Sequence, residues 1–355
     1  GTTGNPKGVV YTHRSNVLHA LASSAPDMLT ASSTDVIMPV VPLFHANGWS
    51  IAYTSAVAGS ALMLPGRDLT PPALYELLEM GVTLPAAVPT VWLMLLQHLK
   101  AHPELKFSTL QRVVIGGSSC PRAVIEAFQN VYGVQVLHAW GMTELSPLGT
   151  ICSFKPEAMA LEPEARMDVQ ETTGHPPYTV ELKITDDDGV RLPEDGTTPG
   201  KLWARGPSVV GTYLKMDAPA TDPDGWFDTG DVATIDPQGY MRITDRSKDV
   251  IKSGGEWISS IDLENAAVAH PQIAEAAAVG IPHPKWDERP FLVVVPSGEA
   301  PAKEEVLGLV AAKFAKWQVP DDVVFVKELP HTATGKISKL TLRKQLADRG
   351  YTLPA

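Results

Sequence analysis

Cysteine is nearly absent. Only Cys120 and Cys152 occur in 355 residues, too few for a disulfide framework or a thiolate metal site. Their scarcity fits a reducing, cytoplasmic setting. Long apolar runs are also missing. No stretch approaches the roughly 20 residues needed to cross a bilayer, so no integral membrane segment is expected, and the first residues do not read as a signal peptide. Basic residues are outnumbered, 29 Lys and Arg against 40 Asp and Glu, for a net charge of −11. General binding to nucleic acid or to an anionic bilayer needs clustered cations that neutralise phosphates, and this balance argues against both. Charged residues make up only 19%, which sets aside a long disordered region.

What is present is a large apolar share, 44%, enough for a packed core and more than one domain. The 31 prolines and 28 glycines indicate many structured loops between short elements. The first residue is Gly1, and it opens a Gly/Thr-rich loop with no strand before it. Phosphate loops normally follow a strand, so the chain is expected to be a piece of a longer protein.

Residues 16–140 alternate strand and helix patterns. Val36 to Val41, Arg112 to Ile115 and Val134 to His138 read as strands; Ala73 to Met80, Thr90 to Lys100 and Pro121 to Tyr132 read as helices. Such alternation implies a mostly parallel sheet covered by helices, whose ligands sit at the carboxyl ends of the strands. From Thr179 to Thr244 the period shortens to two, as in Val180 to Ile184 and Lys201 to Arg205, with turn signals at Asp187-Asp188-Gly189 and Pro237-Gln238-Gly239. A small antiparallel or barrel-like β unit is expected there. After Asp245 come a hairpin (Val250 to Ile258), a Ser-capped helix (Ser260 to Ala269), strands near Ala276 and Phe291, a helix from Lys303 to Lys316 and a strand at Val323 to Val326. The expected class is α/β: a truncated large domain, 1–246, with an α/β part (1–150) and a β-rich part (175–246), then a small α+β lid domain, 247–355.

Four short motifs carry chemistry. Gly1-Thr2-Thr3-Gly4-Asn5-Pro6-Lys7-Gly8 offers close backbone N–H groups, hydroxyls and a cation to a polyphosphate; a Gly-rich surface turn is the plain alternative. In Gly141-Met142-Thr143-Glu144 the Thr can donate to phosphate and the Glu can hold Mg²⁺; helix capping is equally open. Asp228-Thr229-Gly230-Asp231, read at the end of a turn, can accept hydrogen bonds from a ribose diol or can simply form an Asx-turn. Leu329 to Lys336 is a loop that ends in a lysine, able to bring a point charge to a forming oxyanion or to stay solvated.

Together and in this order, with Val41-Pro42-Leu43-Phe44-His45, Asp245-Arg246-Ser247-Lys248-Asp249 and Ser253-Gly254-Gly255-Glu256, these motifs resemble the acyl-adenylate-forming superfamily of acyl-CoA synthetases, luciferases and peptide-synthetase adenylation domains. The resemblance spans essentially the whole chain and departs at the front, where family members carry a further subdomain. The Phe44-His45-Ala46-Asn47-Gly48-Trp49 run and the Ser253 to Ser259 run look most like fatty acyl-CoA ligases, including medium-chain and methylmercaptopropionate-type members.

The resemblance implies roles. Thr2, Thr3, Gly4 and Lys7 would lie against the ATP phosphates. Gly117 and Ser118, with His138, Ala139, Trp140 and Gly141, would line the adenine site, and Met142 is a further nucleotide-binding candidate. Thr143 would contact phosphate, Glu144 would hold Mg²⁺, and Asp231 and Arg246 would grip the ribose. Lys248 would be the hinge, Gly254 and Gly255 the passage for the pantetheine of coenzyme A, and Lys336 the lysine between acid and α-phosphate. His45 is a catalytic candidate, and His45, Trp49 and the Ala139-Trp140-Gly141 corner are candidates for the acyl pocket. The implied activity is an ATP-dependent carboxylic acid–CoA ligase on an aliphatic acid, proceeding through acyl-AMP, with homodimerisation left open. An adenylation domain that charges a carrier protein, an aryl-CoA ligase, and a fragment that binds nucleotide without turnover remain alternatives.

Overall fold

The computed structural model describes residues 7–332 and 336–348. The chain divides into two units, one of residues 7–229 and 233–243, the other of residues 230–232 and 244 onward.

The first unit is built on a six-stranded sheet of β1 (Val36–Pro39), β2 (Ala61–Leu62), β3 (Leu84–Ala87), β4 (Arg112–Gly116), β5 (Gln135–Gly141) and β6 (Leu148–Ile151), in the order β2-β1-β3-β4-β5-β6. The first five strands pair in parallel, and β6 runs antiparallel to β5. Side chains alternate between two cores, as the period of two requires. Met38, Val113, Ile115 and Val136 enter one core with Leu74, Trp92, Leu95 and Phe128. Ile37, Val114, Leu137 and Ala139 enter the other with Met28, Leu29 and Ile51. A parallel sheet covered on both faces is thus written as near-continuous apolar strands. Helices Pro71–Glu79 and Pro89–Ala101 each begin with proline, where the missing N–H costs nothing. Helix His13–Ser23 opens on a capping box between Thr12 and Ser15.

A second sheet holds β7 (Glu181–Thr185), β8 (Gly200–Arg205), β9 (Phe227–Ile235) and β10 (Met241–Arg246), in the order β10-β9-β8-β7. It is open rather than closed into a barrel. The Asp228–Asp231 run expected at the end of a turn lies inside β9; Gly230, at φ +70°, interrupts the extended backbone there, which is why its turn-like composition misleads.

The remaining unit carries a sheet of β11 (Ile251–Ser253), β12 (Glu256–Ile258), β13 (Ile273–His283), β14 (Asp287–Pro296) and β15 (Val323–Phe325). Alternation again makes two cores. Ala276, Ala278, Leu292 and Val294 face helices Ser260–Val268 and Lys303–Ala311 through Leu263, Ala266, Val306 and Val310. Ala277, Val279, Phe291 and Val293 pack on Leu342 and Leu346 of helix Lys339–Asp348. Ser259 caps the first of these helices, accepting from the Asp262 amide at 3.1 Å. The helix expected over Lys303 to Lys316 stops at Ala311 and resumes only as a 3₁₀ turn at Lys316–Gln318. Among the described residues no helix is long and apolar enough to cross a membrane.

Candidate active site

Because β1, β3, β4 and β5 are parallel, their carboxyl ends share one edge of the first sheet. The chain leaves β1 toward β2 on one side and returns at β3 on the other. Such a reversal is where open α/β sheets bind ligands. The segment after β1 carries His45, partly buried, at the start of the turn Ala46–Trp49. Five consecutive residues, Ala46 to Ser50, have φ between 46° and 64°, a left-handed helical turn closed by the Gly48 amide on the His45 carbonyl (3.0 Å) and the Ser50 amide on the Ala46 carbonyl (3.1 Å). Left-handed backbone costs roughly 1–2 kcal/mol per non-glycine residue. The turn sets the Trp49 indole against the ends of β4 and β5: a Cβ on Gly116 would stand 3.4 Å from Trp49 Cη2 and 2.9 Å from the Ala139 carbonyl oxygen. Gly117, with φ +85°, and exposed Ser118 continue from β4.

The β5 residues His138, Ala139 and Trp140 are all buried. His138 Nδ1 is 3.1 Å from the Glu171 carbonyl oxygen, and burial lowers its pKa to about 4, so the ring is neutral at pH 7. Trp140 packs with Leu145, Ile184, Leu202 and Phe227, as a core tryptophan does. At Gly141 the chain turns back toward β6, and a Cβ would lie 2.3 Å from the Pro147 carbonyl oxygen; only glycine permits that approach. Met142, partly buried, packs on the same core as Trp140. Its amide donates to the Pro147 carbonyl at 3.0 Å.

Thr143 and Glu144 occupy a single 3₁₀ turn, Thr143–Leu145. The Tyr11 hydroxyl donates to the Thr143 carbonyl at 2.6 Å, and the Tyr213 hydroxyl donates to Glu144 Oε1 at 2.9 Å. The Val210 amide donates to the Glu144 carbonyl at 2.7 Å. Lys7 Nζ lies over the Tyr213 ring, 4.7 Å from its centroid. The structure therefore brings Lys7 and Glu144 onto one tyrosine, the cation over the ring face and the carboxylate on the hydroxyl. Thr2, Thr3 and Gly4 lie outside the described residues.

In the other unit, Arg246 Nε is 2.7 Å from Asp231 Oδ1; the carboxylate is buried and the guanidinium half exposed. Lys336 joins them: its ammonium is held below the ordinary lysine range by burial first and then by the Arg246 charge, with Asp231 acting in the opposite direction. Arg246 is thus paired with a buried carboxylate, and Lys336, on a third segment, lies within electrostatic reach of both. The Lys336 amide donates to Thr332 Oγ1 at 3.2 Å, and the Thr332 amide donates to the Lys336 carbonyl at 2.7 Å. Lys248 is exposed, and its carbonyl accepts from Arg343 at 3.1 Å. Gly254 and Gly255 form the two-residue turn between β11 and β12, at φ +63° and +89°, which a tight hairpin demands. A Cβ on Gly254 would press on the Trp286 ring at 3.0 Å, whereas Gly255 faces open space.

Sequence reasoning missed a buried cluster beneath this corner. Lys339 Nζ is 2.6 Å from Glu264 Oε1 and also meets the Ser260 hydroxyl. Asp245 accepts from the Ser260 and Arg246 amides at 2.6 and 2.7 Å, and Glu264 Oε1 accepts from the Ala278 amide at 2.8 Å. Burial pushes both carboxyl groups above their ordinary range, opposed by Lys339. Burial also opposes the Lys339 charge, but Glu264 and Asp245 outweigh it and leave the ammonium above the ordinary lysine range. A signal was available: Lys339 shares the helical face of Leu342 and Leu346, three and seven residues on. Tyr11 and Tyr213, which hold the Thr143–Glu144 turn, had no sequence signal.

The AMP-binding enzyme family matches residues 1–214, and the AMP-binding enzyme C-terminal domain matches residues 262–336. The chain belongs to the AMP-binding enzyme family. It is 54% identical over 353 residues to the 3-methylmercaptopropionyl-CoA ligase of Ruegeria pomeroyi, covering 98% of this chain and 65% of that protein. It is 50% identical over 350 residues to the medium-chain-fatty-acid–CoA ligase of Ectopseudomonas oleovorans, covering 98% and 64%. Its fold matches the o-succinylbenzoate coenzyme A synthetase of Bacillus subtilis in complex with ATP and magnesium ion, with a TM-score of 0.81, 27% identity, and coverage of 97% of this chain and 68% of that one. The chain thus spans just under two thirds of the length of the curated relatives it matches.

Proposed function

We propose that the protein activates a carboxylic acid with ATP and transfers the acyl group to coenzyme A. The observation that carries this reading is the convergence of Asp231, Arg246 and Lys336 in one unit. A carboxylate suited to a ribose diol is paired there with one cation, and a second cation lies within electrostatic reach, both suited to phosphate. Membership of the AMP-binding enzyme family supports it, as do relatives named as CoA ligases of methylmercaptopropionate and of medium-chain fatty acids; the acid then carries an uncharged aliphatic chain.

In the proposed reaction a carboxylate oxygen attacks the α-phosphorus and the bond to the bridging oxygen breaks, so pyrophosphate leaves and acyl-AMP remains. The thiol sulfur of coenzyme A then attacks the acyl carbon, the carbon–oxygen bond to AMP breaks, and the thiol proton passes to solvent. Negative charge gathers at the phosphorus in the first step. Lys336 and Arg246 offset it, and because Arg246 already opposes the charge on Lys336, an incoming anion relieves that repulsion. Asp231 positions Arg246 and accepts from the ribose. Thr143 and Lys7 face the phosphates, with Thr2, Thr3 and Gly4 on the same loop. Gly117, Ser118 and the His138–Met142 strand end form the adenine side. His45 and Trp49 border the acyl group. Glu144 fits Mg²⁺, a cation held by one or two carboxylates together with phosphate oxygens and water. Among the described residues no group of three or more His, Cys, Asp or Glu forms a protein cage for a metal. When bound, the cation supplies positive charge to the phosphate oxygens.

The proposal extends to Asp245–Asp249 as the hinge, with Lys248 in it, to residues 247–355 as the lid, and to Gly254 and Gly255 as the pantetheine passage. A cytoplasmic location and homodimerisation belong to it as well. The test is acid-dependent release of AMP from ATP, measured with and without coenzyme A over a panel of acetate, medium-chain, long-chain, aryl and thioether acids. Release that needs both an aliphatic acid and coenzyme A supports the ligase. Nucleotide binding with no acid-dependent release supports a binding-only protein.

A further inference from the structure

We infer that Tyr213 is a positioning residue that keeps the Glu144 carboxylate and the Lys7 ammonium apart and aims the carboxylate at a divalent cation. This rests on the reading of Glu144 given under the proposed function.

Three observations support it. First, the backbone of the Thr143–Leu145 turn is held without Tyr213. Tyr11 donates to the Thr143 carbonyl, Val210 to the Glu144 carbonyl, and Met142 to the Pro147 carbonyl, while the Leu145 side chain is fully buried. Among the described residues the Tyr213 hydroxyl bonds only the carboxylate, so what it sets is the orientation of that group. Second, the segment after the Gly/Thr-rich loop is docked on the same tyrosine. Val9 pairs antiparallel with Tyr213, and the Leu214 amide donates to the Gly8 carbonyl at 2.7 Å. Lys7 is thereby carried onto the face of the ring. Third, the two charges meet the one tyrosine at different places, Lys7 over the ring face and Glu144 on the hydroxyl. A lysine and a glutamate that paired with each other instead would neutralise one another, which would remove the cation from a phosphate and the carboxylate from a metal. A cation on the π-face and an anion on the hydroxyl are both favourable contacts, and neither consumes the other.

The test is calorimetric titration of Mg²⁺, and of Mn²⁺ as a second probe, into the full-length protein saturated with a non-hydrolysable ATP analogue. Metal-free affinity for AMP and thermal melting are measured beside it. Tyr213→Phe keeps the ring under Lys7 and removes the hydroxyl; a lost hydrogen bond to a charged group should weaken metal affinity roughly tenfold. Metal-free AMP affinity should stay unchanged, and the melting temperature should fall by no more than the few degrees that one lost hydrogen bond costs. Tyr11→Phe removes a hydroxyl that touches the same turn only through the main chain, and should change metal affinity less than about twofold. Unchanged metal affinity in Tyr213→Phe overturns the inference, and so do equal losses in the two variants, which would mean general loosening of the turn. Glu144→Gln separates this from the larger reading. If it leaves metal affinity intact, the metal role of Glu144 fails and the inference falls with it. If Glu144→Gln abolishes metal binding while Tyr213→Phe does not weaken it, only the inference fails.

Discussion

Lys339→Met should be among the most damaging single changes in the C-terminal unit, though Lys339 touches no proposed substrate. Its side chain is 12% exposed, and Glu264 beside it is 17% exposed. Methionine keeps the stem and removes the charge, leaving Glu264 and Asp245 buried without a cation. Breaking a buried pair from one side costs about 3–5 kcal/mol, whereas removing both charges can be nearly neutral. Lys339→Met should therefore lose about 3–5 kcal/mol at pH 7, and Lys339→Met with Glu264→Gln should recover at least half of it. The pH dependence has a definite sign. Glu264 in the folded chain already sits above the ordinary glutamate range, and loss of Lys339 raises it further. Stability from a raised carboxyl is complete below its unfolded pKa and is lost as pH rises through the folded value. The variant's deficit should therefore shrink as pH falls toward the ordinary glutamate range. Hydrogen exchange of the Ser260–Val268 amides, followed from pH 7 downward, reads this locally. A deficit under about 1 kcal/mol at pH 7, or one that grows on acidification, would refute the reasoning.

Two further predictions concern the first unit. His19 is buried, and its Nε2 accepts from the Leu148 amide at 2.9 Å; burial lowers its pKa from 6.5 to about 4, as it does for His138. Each unfolded histidine binds a proton that the folded one refuses, so stability should be complete above about pH 6.5 and fall on the order of 3 kcal/mol per histidine as pH drops toward 4. Urea titrations at pH 7.5 and 5.0 check this, and equal midpoints would contradict it. Ser50 lies at φ +60° with its buried hydroxyl unpaired among the described residues, so Ser50→Gly should stabilise the protein by roughly 1 kcal/mol through relief of left-handed strain. Thermal melting decides; a loss of that size would mean the hydroxyl has a partner.

Much of the framework was legible because burial on two faces leaves a mark in the sequence. Val36 to Met38, Arg112 to Ile115 and Val134 to His138 are apolar enough to need cover on both sides, and they form β1, β4 and β5. The central strand β3 was hidden by Pro85, a residue that argues against a ladder position, although Pro85 pairs opposite Met38. The edge strands β2 and β6 are too short to show a period. The left-handed turn was only half signalled: Asn47-Gly48 is a pair that accepts positive φ, but Ala46, Trp49 and Ser50 around it do not favour it. The motif loops could be read because glycine, threonine and acidic residues cluster along the chain. The contacts that organise them could not: Tyr11 reaches Thr143 across 132 positions and Tyr213 reaches Glu144 across 69. Only tertiary folding creates those neighbours.

In the proposed reaction Lys336 works with Arg246 and Asp231 on the phosphorus of a bound nucleotide. The direct measurement is acid-dependent exchange of pyrophosphate into ATP by the full-length protein and by Lys336→Ala, with thioester formation from supplied acyl-AMP and coenzyme A run in parallel. Exchange should fall by at least roughly 10²-fold in Lys336→Ala, the effect of losing one positioned charge donor, with thioester formation retained. Equal losses in the two half-reactions, or exchange untouched by the substitution, would contradict it.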